Sequence, residues 1–141
     1  MYVLRRLSLA LAAAFVIGGC SIAELLLTDS SVGFEPRPED AFPDVLAVEL
    51  RPASERVYDV AVTISSPYDT PQRYADGWRV LAPDGNELGT HTLLHDHAGE
   101  QPFTRTQRGL HIPVGIEAVT VEGRDQVYGF GGATVTVDVP E

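Results

Sequence analysis

One cysteine, no lysine and a methionine only at position 1 set the first limits on this chain of 141 residues. With a lone thiol at Cys20, the rest of the chain has no internal disulfide, zinc ribbon or thiol nucleophile. Apolar burial must therefore hold the fold together. A chain without methionine beyond its first residue also offers no thioether for copper(I). Positive charge is scarce: all ten basic residues are arginine, against twenty Asp and Glu, for a net charge of -10. Exclusive use of arginine fits either a GC-rich genome or adaptation to salt. Such an acidic surface repels phosphate backbones and anionic headgroups, which excludes nucleic acid as a partner and a polybasic membrane contact as an anchor. Long hydrophobic runs are missing as well. The apolar run from Leu7 to Ile17 is about half of the ~20 residues that span a bilayer core.

What is present begins with that run. Arg5 and Arg6 precede it and Gly18-Gly19-Cys20 follows, the layout of an export signal. Ile17-Gly18-Gly19-Cys20 resembles the lipobox of bacterial lipoproteins, in which an aliphatic and two small residues precede a lipidated cysteine. The resemblance implies a signal peptide over 1–19, a diacylglycerol thioether on Cys20, and in many bacteria a further acyl chain, such as palmitate, on its amine. Ser21 stands where inner-membrane retention signals often carry Asp. The implied location is the cell envelope, at the outer membrane facing the periplasm in a Gram-negative cell and otherwise on the outer face of the cytoplasmic membrane. Arg5-Arg6 fits an ordinary positive n-region and, more loosely, a twin-arginine signal. Without the signal, eight arginines face twenty acids, a net charge of -12.

Residues 20–43 read as lipid anchor and flexible tether, because the segment holds Pro36, Pro38 and Pro43 with a cluster of acids; Ala23 to Leu27 has room for one helical turn near the membrane. As a coil, about two dozen residues reach only ~25 to 30 Å, so the domain would work close to the membrane.

From 44 to 141 the pattern changes to short alternating segments separated by turn residues. Strands are expected near Val45 to Arg51, Arg56 to Ser65, Tyr74 to Ala82, Glu87 to His95, Phe103 to Ile112, Glu117 to Gly123 and Ala133 to Val139. About seven strands in one hundred residues match an immunoglobulin-like or fibronectin-like antiparallel β-sandwich. Its expected core is Val60, Val62, Ile64, Trp78, Val80, Leu110, Ile112, Val119 and Val121, with Val135, Val137 and Val139 from the last strand. The disulfide and corner tyrosine of immunoglobulin domains are absent, so the likeness is architectural and implies no activity. The hairpin, Gly99-Glu100-Gln101-Pro102-Phe103-Thr104-Arg105 and the late Tyr128-Gly129-Phe130-Gly131-Gly132 also resemble small exported prokaryotic proteins without an established activity.

The hairpin from Tyr74 to Arg105 turns at Pro83-Asp84-Gly85 and carries the only tryptophan and three of four histidines. On an extended strand, His95 and His97 share a face ~6.7 Å apart, while His91 is ~13 Å from His95. His95 and His97 would suit zinc or copper(II), with His111 or Glu100 as a third ligand. The competing reading makes them solvated loop residues hydrogen-bonding around Asp96. Adjacent Leu93 and Leu94 leave the inward face open and suggest a bulge.

Other motifs carry less. Gly129, Gly131 and Gly132 precede no helix and relax a loop rather than cradle a dinucleotide. Ser65-Ser66-Pro67 lacks the context of a nucleophile elbow. Glu100 with Arg105, and Asp125 with Arg124, read as surface pairs rather than catalytic carboxylates. Tyr68, Tyr74, Tyr128 and Phe130 are expected at the core rim or on an aromatic binding surface. The expectation is a non-catalytic binding or accessory module with an envelope protein as partner. A metal-binding domain is the second reading, and an enzyme of unassigned class the third.

Overall fold

The structure, a computed structural model, describes residues 42–141; Cys20, the signal segment and the tether up to residue 41 lie outside the described residues. These hundred residues form an all-β domain of eight strands: β1 (Asp44–Ser54), β2 (Val57–Ser65), β3 (Ala75–Leu81), β4 (Glu87–Thr92), β5 (Phe103–His111), β6 (Ala118–Asp125), β7 (Gly129–Phe130) and β8 (Val135–Asp138). One sheet has the order β1-β2-β5. The other runs β4-β3-β6, with β7 and then β8 on the far side of β6. Every pairing is antiparallel. No helix of the described residues is long and apolar enough to cross a membrane.

Alternation explains the elements. Val60, Val62 and Ile64 on β2, Trp78 and Val80 on β3, and Val119 and Val121 on β6 recur at every second position and are almost fully buried. They meet Tyr58, Phe103, Leu110 and Ile112 in one apolar cluster, while Val135, Val137 and Val139 pack against it half-buried. Each fully buried side chain of this size contributes about 1.5–3 kcal/mol, so the core stabilises the fold without a covalent link. Trp78 also needs a polar partner, because a buried indole N–H cannot be left unpaired without cost. Its Nε1 donates to Gln107 Oε1 at 3.1 Å, and Gln107 Nε2 donates to the Thr90 carbonyl at 3.3 Å.

The expected turn between β3 and β4 forms as read. Gly85 takes a positive φ of 85°, Ala82 N–H donates to the Asn86 carbonyl at 2.8 Å, and Asp84 accepts from the Asn86 backbone N–H at 3.0 Å. At the same end of the domain, Arg56 also has a positive φ, of 56°. Its guanidinium donates to the carbonyls of Ile112, Pro113 and Ile116, which holds the β5–β6 loop against the β1–β2 turn. We call this the distal end. At the opposite, proximal end the described chain begins, β2 passes into β3, β4 into β5, and β6 into β7.

Several boundaries differ from the sequence reading, among them β1, which runs on to Ser54, and β6, which runs on to Asp125. Strand β4 stops at Thr92 rather than His95: its pairing with β3 ends at Gly77–Thr92, and the Leu93 N–H to Asp76 carbonyl bond of 2.8 Å is the last contact in that register. The last strand is shorter than expected, Val135–Asp138, and a two-residue strand that the sequence does not announce, Gly129–Phe130, pairs with the end of β6 before it. Phe42 and Pro43, read as tether, belong to the folded unit. Pro43 is buried over Gly123, where a Cβ would come within 2.8 Å of its ring, and its carbonyl fills the space a Cβ would need at Gly132. Phe42 lies over Gly131 in the same way. Asp44 Oδ1 then accepts from Ala133 N–H at 2.8 Å, and Val45 N–H donates to the Ala133 carbonyl at 2.9 Å. The late glycines do relax the backbone ahead of the last strand, and they also make room for the incoming chain.

Candidate functional site

Two loops meet at the proximal end, Ser66–Tyr74 between β2 and β3 and Leu93–Pro102 between β4 and β5. Asp69 joins them. Its buried carboxylate accepts from Ala75 N–H through Oδ1 and from His97 N–H through Oδ2, both at 3.0 Å. Gln101 makes the second link: Oε1 accepts from Ser66 N–H at 2.7 Å, and Nε2 donates to Ser66 Oγ at 3.2 Å and to the His97 carbonyl at 3.1 Å. Side-chain amides and carboxylates replace the strand ladder here, which satisfies backbone groups that the loops would otherwise leave buried and unpaired.

The histidine loop is thereby placed. Leu93 is buried and Leu94 is exposed, which resolves the face of the two leucines. His97 is only 3% exposed, its imidazole stacked on the Phe103 ring with centroids 4.0 Å apart at 16°. The exposed His95 ring lies 4.7 Å from it at 32°. Neither Nδ1 nor Nε2 of His97 has a hydrogen-bond partner. His97 is thus not the solvated residue of the competing reading. Burial first, then the Arg105 guanidinium and His95, push its pKa below the ordinary value and keep it neutral. Glu100 is exposed and bound to Arg105 at 2.7 Å, a hydrogen bond that holds its carboxyl low.

The remaining expected ligands are not brought together. His111 ends β5 at the distal end while Phe103 begins it at the proximal end, ~26 Å apart at the strand rise, so His111 cannot share an ion with His95 and His97. His91 sits opposite Trp78 across the β3–β4 pair with its ring 4.3 Å from the indole, and burial lowers its pKa. His95 and His97 also lie in a loop rather than on a strand, so extended spacing does not describe them. Among the described residues, no group of three or more His, Cys, Asp or Glu is placed to hold one metal ion.

A second cluster borders the first. Arg73 lies between the rings of Tyr68 and Tyr128, 4.7 and 4.5 Å from their centroids. It donates from Nε to Asp125 Oδ2 at 3.0 Å. Asp125 is fully buried, and its Oδ1 also accepts from Val127 and Tyr128 N–H groups. Burial, and then the Asp125 carboxylate, raise the Tyr68 phenol far above its ordinary range. The expected Asp125–Arg124 pairing does not form; Arg124 reaches Asp76 at 3.1 Å instead. Phe130 is covered by Arg79, 4.1 Å from its centroid. The aromatic residues suspected as a binding surface are thus largely faced by the protein's own arginines. On the outer face of the β1-β2-β5 sheet, a shallow groove of about 270 Å³ lies between Glu49, Ala61, Thr63 and Thr104, below the ~300–1,000 Å³ usual for a ligand cleft.

Nothing in the sequence marked Asp69, Gln101 or Arg73 as organisers of this end. They lie in loops without periodicity, and their side-chain hydrogen-bond partners are 4 to 52 residues away.

No family model matches the chain. No solved structure matches it. The chain is similar to a protein of Halomicrobium mukohataei named "Putative lipoprotein", with 38% identity over 95 residues. The similar stretch covers 67% of this chain and 46% of that protein, so the chain matches less than half of its relative's length.

Proposed function

We propose that the chain is a lipid-anchored cell-envelope protein whose β domain is a non-catalytic binding or accessory module. The observation that carries the reading is the agreement between the lipobox-like Ile17-Gly18-Gly19-Cys20 and the name of the relative. The location that follows is a membrane of the envelope, with the domain held near its outer surface through Cys20. The partner is an envelope protein. An immunoglobulin-like or fibronectin-like sandwich goes with this reading. Its support is the strand order: β1, β2 and β5 occupy the places of strands A, B and E in one sheet, and β3, β6 and β8 those of C, F and G in the other. β4 sits beside β3 as an added C′ strand.

Detergent-phase partitioning and mass spectrometry of the N-terminal peptide test the anchor. The processed chain should enter the detergent phase with a lipid mass on Cys20, and Cys20→Ala should remain aqueous and unprocessed. An unmodified Cys20 in the native host would end the reading. For the module, crosslinking on intact cells followed by isolation of the chain should recover a specific envelope protein.

A second reading, a zinc or copper(II) site on His95 and His97, has one observation in its favour: a buried imidazole with both nitrogens unpartnered beside a second imidazole. Metal titration tests it. Stoichiometric binding that survives high salt and is lost in both His95→Ala and His97→Ala would support it, with His111→Ala leaving it intact. Absence of stoichiometric binding removes it.

A further inference from the structure

The described surface is polarised along the strand direction. Five large apolar side chains are exposed, and four of them lie at the proximal end: Leu46 near the start of β1, Leu94 at the start of the β4–β5 loop, and Val127 and Tyr128 in the β6–β7 turn. Leu94 is 84% exposed and Val127 59%. Only Val114 lies at the distal end. Negative charge is distributed the other way. Glu55, Asp84, Glu87, Glu117, Asp138 and Glu141 are exposed at the distal end, and none of them forms an ion pair among the described residues. Proximal acids are neutralised in place: Asp76 by Arg124, Asp125 by Arg73 and Glu100 by Arg105, while Asp69 is buried among backbone N–H donors. Asp44 and Asp96 are what remains.

We infer that the proximal end rests on the lipid surface itself, with Leu94, Val127 and Tyr128 reaching into the boundary between headgroups and acyl chains and the acidic distal end turned to water. This rests on the lipid-anchor reading. The described chain begins at Phe42 on this same end, only 22 residues after Cys20, so the lipid is delivered to the end that carries the apolar side chains. Scattered apolar residues would not bring a soluble domain to a membrane. A domain already tied there has a high effective concentration at the surface, and then a weak contact decides its orientation. Tyr128, with an apolar ring and a polar tip, suits that boundary. Repulsion between the distal acids and anionic headgroups disfavours the inverted pose.

The test uses the full lipidated chain reconstituted in phosphatidylcholine vesicles, with Leu94→Cys, Val127→Cys or Val114→Cys labelled by an environment-sensitive fluorophore and nitroxide-bearing lipids as quencher. Lipidation blocks the thiol of Cys20, and all three positions are exposed, so labelling leaves the fold intact as judged by circular dichroism. Emission from positions 94 and 127 should shift to the blue and be quenched several times more strongly than emission from position 114. Equal exposure of all three to water overturns the proposal, as does deeper burial of position 114. A blue shift at 94 and 127 without quenching by lipid means that a second copy or another protein covers them, and also overturns it. Flotation of the vesicles separates the two readings. A chain that fails to float ends the anchor and this proposal together, whereas a chain that floats with positions 94 and 127 in water ends this proposal alone.

Discussion

His97 lies flat on Phe103, and the contact that buries its ring leaves both of its nitrogens without a partner. A neutral imidazole tolerates that position, but a protonated one would be a buried cation close to Arg105 and His95 and only partly offset by Glu100 and Asp69. Its folded pKa is depressed, so below the ordinary histidine value of about 6.5 the unfolded chain binds the proton first. Stability is then lost as pH falls through that range. Urea unfolding at pH 7.5 and 5.5 should show a lower midpoint at the acid value. His97→Phe should keep the stack and reduce the difference without abolishing it, since His91 is depressed in the same direction by burial against Trp78. An unchanged difference in the variant would assign the acid sensitivity elsewhere.

Gln107 holds the indole of Trp78. Gln107→Leu fills similar space but leaves the buried Nε1–H unpaired, which costs about 1–3 kcal/mol. Chemical denaturation followed by Trp78 fluorescence reads both the stability and the indole environment. A neutral substitution would mean that water replaces the amide.

Removing Asp125 should be more damaging. Asp125→Ala removes the buried carboxylate to which Arg73 donates and leaves the N–H groups of Val127 and Tyr128 without their acceptor. Loss of one partner of a buried pair costs ~3–5 kcal/mol, and the lower end applies because the Arg73 side chain keeps 26% exposure. Thermal unfolding measures it, and a small effect would show that the β6–β7 turn is held by other contacts.

Gly132 combines a φ of 86° with a Cβ position occupied by the Pro43 carbonyl. Gly132→Ala should cost at least ~1–2 kcal/mol from the backbone alone. It should also release Phe42 to Val45, so that amide hydrogen exchange at Val45 rises well before exchange in the β2–β5 ladder. Uniform change across the domain would count against a local clamp.

Much of the strand layout was legible because alternation marks a half-buried surface. Val60, Val62 and Ile64 or Val119 and Val121 announce their inward face at every second position, and the Pro83-Asp84-Gly85 turn is local chemistry. Legibility ended where neighbours in space are far apart in sequence. The β4 boundary depends on where β3 begins, since beyond the Leu93 N–H to Asp76 carbonyl bond β3 offers β4 no further pairing. For the histidines, spacing on an extended strand was the available ruler; His95 and His97 do lie side by side, but on a loop held by Asp69 and Gln101 rather than on a strand. His111 and Phe103 share a strand but occupy its opposite ends, and only the fold reveals that the histidine loop packs at the Phe103 end.

The seating of Phe42 and Pro43 on Gly123, Gly131 and Gly132 makes this junction a strain relief. A first strand attached only to β2 would peel under load, its ladder bonds failing one after another from the loaded end. Here a pull arriving from the N-terminal side must first dislodge two ring side chains and break the Asp44 and Val45 bonds to Ala133, all at once. Load is shared between both sheets at the very residues where β1–β2 pairing begins, so a tug on the chain is spread over the domain instead of being focused on one ladder.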